Sequence, residues 1–441
     1  MKIRSLALIA ILSITLAVAR PLSAGSATPS TPLSTQVDSI YKDVEALYIH
    51  LHQNPELSLH EQNTAAKLAD ALRQTGFEVT TGVGGTGVVG VLRNGPGPTV
   101  MLRTDTDALP VEEKTGLPYA SHVRTKDDSG ADVPVMHACG HDIHMASWIG
   151  TARIMAATKD RWHGTLVMVG QPAEERVMGA KAMLADGLYT RFPKPDFALA
   201  IHDTASLPAG KVGFTNGFAL ANSDSLHVVI FGKGGHGAQP QSTVDPIVIA
   251  ARTILALQTL VSRETDPLEP AVVTVGQIHA GTKSNIISDQ AVLDLSVRSF
   301  KDTVRNHLLA GIERIVKAEA VAAEAPKEPT ITLVESTHAT YNDPALGKRI
   351  HEALGRTFGA DNVVEEPPIM GSEDFSEYSR AGVPAYMIVV GAVEPGVFKA
   401  AQASGKTLPS PHSPLFAPDR EPTLKTAMAT EVTMLMEFLG R

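Results

Sequence analysis

The chain has 441 residues, 43% hydrophobic and 19% charged, with a formal net charge of −9. Those proportions exclude a disordered chain and leave room for more than one hydrophobic core. The acidic balance gives no basic footprint for nucleic acid, while small anions remain admissible as ligands.

Lys2 and Arg4 precede the apolar run "SLALIAILSITLAVA", and small residues follow in "RPLSAGSA". That order predicts a secretory signal over residues 1–27, cleaved between Ala19 and Ala27. The run is shorter than the ~20 apolar residues of a spanning helix. The expectation is export to the periplasm or the cell exterior, with no membrane contact after cleavage. Cys139 is the only cysteine, so an oxidising compartment makes no disulfide demand on the fold.

From Val37 to Leu51 the apolar residues keep helical spacing, and Pro55 breaks the pattern. A second helix runs through Ala65, Leu68 and Leu72 to Gly76. The runs "GVVGVL", "TVMLRTD", "GTLVMVGQ" and "DFALAIHD" read as strands, with the helix "IHMASWIGTARIMAA" among them. Alternating strands and helices predict an α/β layer architecture over 33–221.

The pattern changes at residue 222. Strand "SLHVVIFG", helix "DPIVIAARTILALQTLV", strands "AVVTVGQIHA" and "AVLDLSVRSF", a helix from Val304 and strand "TITLVES" follow in turn. This β-α-β-β-α-β order predicts a ferredoxin-like α+β domain over 222–337. It interrupts the first domain, because "PAYMIVVG" in 338–441 is again a buried strand.

In open α/β sheets functional groups gather at the carboxyl ends of strands. Here those ends carry Asp105 and Asp107, Glu174 and Glu175, and His202 and Asp203, while Cys139 and His141 stand just before a helix. His137, Cys139 and His141 alternate, so an extended segment would set them on one face. A thiolate, imidazoles and carboxylates together suit zinc or a similar metal. A Cys–His nucleophilic pair is the rival reading, and it leaves the paired glutamates without a task. A buried inert thiol is the third.

The segments "HQNPELSLHEQNTA", "RTDTDALP", "MHACGHDIH", "QPAEE", "GKGGHGAQP" and "MGSEDFS" resemble the amidohydrolase branch of the aminoacylase and carboxypeptidase metallopeptidases, which includes hippurate hydrolases and auxin-conjugate hydrolases. The resemblance covers nearly all the chain after the signal. It implies a phosphorylase/hydrolase-like catalytic domain, a mixed sheet flanked by helices, interrupted by a lid that dimerises. It implies two divalent ions per subunit (zinc, manganese, cobalt or nickel) on Cys139, His141, Glu175, His202 and His412, with Cys139 bridging. The loop around His412 is longer than the resemblance implies. Glu174 would be the general base and Asp107 would orient a ligand. Asp105 and His144 would support the site or serve structure alone.

His236 would reach a substrate in the partner subunit of a homodimer or larger homo-oligomer, and Asn285 and Arg298 would bind the substrate carboxylate. A structural salt bridge is the alternative for Arg298. Gln241, Ser288 and the pair Leu295-Ser296 depart from the usual residues and bear on substrate preference. The expected function is hydrolysis of the amide in N-acyl amino acids or small peptide-like conjugates. An exported carboxypeptidase or dipeptidase on the same machinery is the alternative, and a non-catalytic binding protein the third reading.

Overall fold

The computed structural model describes residues 32–441, so the expected signal over 1–27 lies outside the described residues. Helices α1 (Leu33–Gln53) and α2 (Gln62–Gln74) precede strands β1 (Glu78–Val83), β2 (Gly87–Asn94) and β3 (Thr99–Asp105). Then come α3 (His141–Ala157), β4 (Gly164–Gln171), β5 (Phe197–Pro208) and the short β6 (Val212–Phe214).

The chain leaves this sheet for β7 (Asn222–Phe231), β8 (Gly235–His236), α4 (Pro246–Thr259), β9 (Ala271–Ala280), β10 (Ile286–Ile287), β11 (Gln290–Ser299), α5 (Asp302–Ala322) and β12 (Thr330–Thr337). It returns with α6 (Pro344–Phe358), β13 (Val363–Glu365), β14 (Ala385–Val393), α7 (Pro395–Ser404) and α8 (Arg420–Leu439).

The main sheet is mixed and has eight strands, in the order β1-β2-β4-β3-β5-β14-β6-β13. Its centre, β4-β3-β5-β14, is parallel. The central strands are buried on both faces, which is why β3 and β4 read as unbroken apolar runs rather than alternating ones. Side chains of β3 alternate between two cores. Val100 and Leu102 join the core under α1, α3 and α8, while Met101 joins Val167, Phe375 and Tyr378 on the other face.

The inserted domain has its own sheet, order β9-β11-β7-β12, in which every neighbour is antiparallel. Helices α4 and α5 cover it through a separate core that includes Val228, Ile230, Leu293, Leu308 and Ile312. Asp245 caps α4 by accepting the Ile247 N–H at 2.9 Å, with Pro246 in the first turn, where its missing N–H costs nothing. Beside this sheet, β8 and β10 form a small antiparallel ribbon.

Two local features differ from expectation. β5 does not end at His202–Asp203 but runs to Pro208 alongside β14; its pairing with β3 stops at Ala200, so His202 still stands just past the shared edge. The helix α7, between β14 and His412, was not anticipated; Glu394 caps it through the N–H groups of Gly396 and Val397.

Candidate metal centre

Cys139 sits in a turn, not in an extended segment, which corrects the expectation that His137, Cys139 and His141 share a face. The turn closes on Gly140 at φ 76°, where a Cβ would stand 2.2 Å from an Asp203 oxygen. Only glycine fits both the backbone and that approach. His141 therefore opens α3 pointing elsewhere than His137, whose ring is buried with neither nitrogen bonded among the described residues. Burial pushes His137 down to about 4, and it does not line the cavity that Cys139 lines.

Two backbone carbonyls fix the tautomers of the central histidines. A carbonyl can only accept, so His141 Nδ1 donates to the Asp107 carbonyl at 2.8 Å and His202 Nδ1 donates to that of Asp203 at 2.6 Å. Each Nε2 is left with a free lone pair. That of His141 is buried with no hydrogen-bond partner among the described residues, and that of His202 stands 3.5 Å from Cys139 Sγ.

Donor atoms of Cys139, His141 and His202 lie within 4.8 Å of one another, and so do those of Cys139, Glu175 and His412. Cys139 belongs to both sets. His144 falls in other groupings but has no lone pair to give: its Nδ1 donates to Asp105 at 2.8 Å and its Nε2 accepts the Asp203 N–H at 2.9 Å.

The donor set fits divalent cations. Burial, followed by the charges of Glu175 and Glu174, pushes the Cys139 thiol well up, and burial with Glu373 and Glu175 does the same to Glu174. A buried thiol among carboxylates is a hole for positive charge. Glu175 Oε1 is likewise buried with no hydrogen-bond partner among the described residues, 3.8 Å from His141 Nε2. The chain thus holds a site for two divalent ions, with a shared cysteine.

The Glu174–Glu175 turn is held by its neighbours. Ala173 and Val177, on either side, have φ of 50° and 48°, and His412 has φ 71°, a strained region for residues with a Cβ. Asp107 accepts the N–H of Glu174 at 3.1 Å and of Glu175 at 3.0 Å, and Glu61 accepts that of Ala173 at 2.9 Å. The His412 N–H donates to the Ala138 carbonyl at 2.7 Å, tying its loop to the Cys139 turn. Asp107 thus holds the backbone of both glutamates.

Sequence reasoning missed the charge cluster behind the site. Arg103 is fully buried on β3 and donates to Asp105 at 2.7 Å, to Glu373 at 2.8 Å and to Gln171 at 2.9 Å. Asp374 closes the cluster with Gln171 at 2.6 Å and the Ala180 N–H at 2.9 Å. The signal was the pair Glu373-Asp374 in "MGSEDFS", an acidic pair beside an apolar segment, which demands a buried cation.

One cavity of about 1080 Å³ is lined by Cys139, Glu174, Glu175, His202, His412 and Arg298. Arg298 Nη1 donates to the Met370 carbonyl at 2.9 Å and to Ser372 Oγ at 3.4 Å, and no carboxylate pairs with it among the described residues. Within the described residues of one chain, Arg298 is thus held by a carbonyl and a hydroxyl rather than by a salt bridge. His236 and Asn285 stand apart: both are exposed at the β8–β10 ribbon, where the Gly237 N–H donates to the Asn285 carbonyl at 2.9 Å. Neither lines that cavity, so within one chain Asn285 and Arg298 stand apart.

The family model for peptidase family M20/M25/M40 matches residues 101–404. Thermostable carboxypeptidase 2 of Saccharolobus solfataricus is 37% identical over 344 residues, 77% of this chain and 83% of that protein. Hippurate hydrolase of Campylobacter jejuni is 36% identical over 356 residues, 80% of this chain and 89% of that protein. Among solved structures, the Bacillus subtilis protein YXEP, described as a dinuclear metal binding peptidase of the M20 family, superposes with TM-score 0.72 at 27% identity, covering 91% of this chain and 100% of its own.

Proposed function

The chain belongs to peptidase family M20/M25/M40 and is a metal-dependent hydrolase, and from that premise we propose that it cleaves the amide bond of N-acyl amino acids. The observation that carries this reading is Arg298, a guanidinium that pairs with no carboxylate among the described residues and lines the same cavity as the metal donors. A free α-carboxylate is the natural counter-ion for that fork.

Two divalent ions on Cys139–His141–His202 and Cys139–Glu175–His412 would acidify a water and polarise the scissile carbonyl. Glu174 accepts the proton of the attacking water and returns it to the amide nitrogen as the C–N bond breaks. Arg298 holds the α-carboxylate, and the Met370 carbonyl and Ser372 hydroxyl hold Arg298.

His236 and Asn285 share one ribbon, so they would enter the cavity of a second copy together. Exposed apolar residues on α4 (Ile247, Val248 and Leu255) and the exposed edge strand β9 support such pairing of two lids. Export through residues 1–27 completes the proposal and rests on their charged, apolar and small-residue order.

The test is a panel of N-acyl amino acids, their amides and C-terminal peptides, run on chelated and metal-reconstituted protein. Hydrolysis of the N-acyl acids that chelation abolishes and metal restores is expected. Activity in metal-free protein would return Cys139 to the nucleophile reading, and a preference for peptides would make the chain a carboxypeptidase. Glu174→Gln should cost on the order of 100- to 10,000-fold in turnover with metal retained.

A further inference from the structure

The cavity has a second wall, which the mechanism above leaves without a task. After β14 the chain enters α7, which ends at Gly405 with φ 68°, and residues 406–411 then lead directly into His412. Phe398 and Ala401 of α7 and Leu408 of the loop form an apolar strip of the cavity lining with Met387 and Val389 of β14, and Gln402, Lys406, Thr407 and Ser410 of the same segment line the cavity as well. Val389 lies in register with His202 on the neighbouring strand. This apolar wall therefore adjoins one metal donor through the sheet and another, His412, through the loop. Arg298 comes from the other sheet, on β11.

In an N-acyl amino acid the α-carboxylate and the acyl group leave the scissile amide in opposite directions. With the carboxylate on Arg298 and the carbonyl at the metal donors, the acyl group is directed to the α7 wall; this step rests on the function proposed above. We infer that segment 395–411 is the acyl-selecting wall, and that Phe398 and Leu408 make this hydrolase favour bulky apolar acyl groups, aryl or longer aliphatic, over acetyl. An acetyl methyl would leave most of the wall against water in a cavity of about 1080 Å³. An aryl or octanoyl group would take that apolar surface out of water, and the gain grows with the area covered.

The experiment compares kcat/KM for the N-acetyl, N-benzoyl and N-octanoyl derivatives of one amino acid on the metal-loaded full chain. Wild type, Phe398→Ala, Phe398→Leu and Leu408→Ser are tested, each with its metal content and thermal melt. Benzoyl and octanoyl should exceed acetyl in the wild type. Their advantage should shrink about tenfold in Phe398→Ala, since one well-packed apolar contact discriminates by that order. Phe398→Leu should recover part of it for octanoyl. Should Phe398→Ala fail to fold, Leu408→Ser reads the same ratio from the loop. An unmoved ratio in folded variants, or a wild type that prefers acetyl, would overturn the wall while leaving the function standing. Hydrolysis of none of the three would remove the function and the wall with it.

Discussion

The carboxylate of Asp107 accepts the main-chain N–H of Glu175 at 3.0 Å, so one acid holds the backbone of another. The same carboxylate takes the Glu174 N–H at 3.1 Å and the Ser58 hydroxyl at 2.6 Å, while its own main-chain carbonyl takes His141 Nδ1. The backbone of Glu174, the proposed base, that of Glu175 and the ring of His141 are thereby held by one residue. Burial pushes this carboxyl up, and His141, Ser58 and the Glu175 N–H outweigh it, leaving it ionised.

Asp107→Asn turns one acceptor oxygen into an NH₂ facing N–H donors. Metal affinity should fall about 10- to 100-fold, as it does when partners of metal ligands are removed. Competition with a chelating dye measures it. Unchanged affinity with lowered turnover would instead place Asp107 in the chemistry itself.

Glu431 of α8 is buried against α3, accepting from Thr151 at 2.6 Å and facing Ser147 and His144. Burial pushes its carboxyl from 4.5 up to about 8. A folded value above the unfolded one means stability fully present below the lower value and lost as pH rises through the higher. Between the two, stability should decline by about 1.4 kcal/mol per pH unit from this group. Glu431→Gln keeps the Thr151 bond and removes the titration. Melts at saturating metal should show the variant raised over wild type at pH 8 and level with it at pH 4; equal slopes from pH 5 to 8 would show that Glu431 is ionised throughout.

The donors were legible because sequence neighbours do most of the placing. Glu174 and Glu175 follow a buried strand, and His141 opens a helix after a glycine, so strand ends and helix starts delimit the site. Arg103 was not legible, since its partners Glu373 and Asp374 lie 270 residues or more away in sequence and only the folded sheet brings them to β3. Glu431 was not legible either, because its burial depends on α3 packing over it. His137 misled for the opposite reason. Alternation along a sequence sets one face only if the segment is extended, and Gly140 at φ 76° belongs to a turn.

Among the described residues Arg298 pairs with no carboxylate, and it is half buried, so desolvation already weighs against its charge. A substrate amide in place of the α-carboxylate would leave that charge unpaired. Discrimination of acid over amide should be roughly 2–5 kcal/mol in a closed cavity, and Arg298→Ala should lose most of it by harming the acid. The ratio of kcat/KM for the two substrates is the measurement. A variant that slows both equally would make Arg298 a support for the Met370–Ser372 segment.

The exposed ribbon that carries His236 and Asn285 makes the last prediction one of chain identity. Cys139, Glu174 and Arg298 line one cavity of one chain, whereas the ribbon residues do not. If the ribbon serves a second copy, His236→Ala mixed with Glu174→Gln should regain activity. Each hybrid dimer would contain one site with an intact Glu174 and an intact His236 from its partner. An equal mixture should then reach about a quarter of wild-type turnover, half the dimers being hybrids with one working site each. Asn285→Ala should complement Glu174→Gln in the same way, because it shares the ribbon. Arg298→Ala should not, because any site with an intact Glu174 would then lack its own arginine. Recovery with Arg298→Ala, or none with His236→Ala despite hybrids seen by mass spectrometry, would reverse the assignment of these residues to chains.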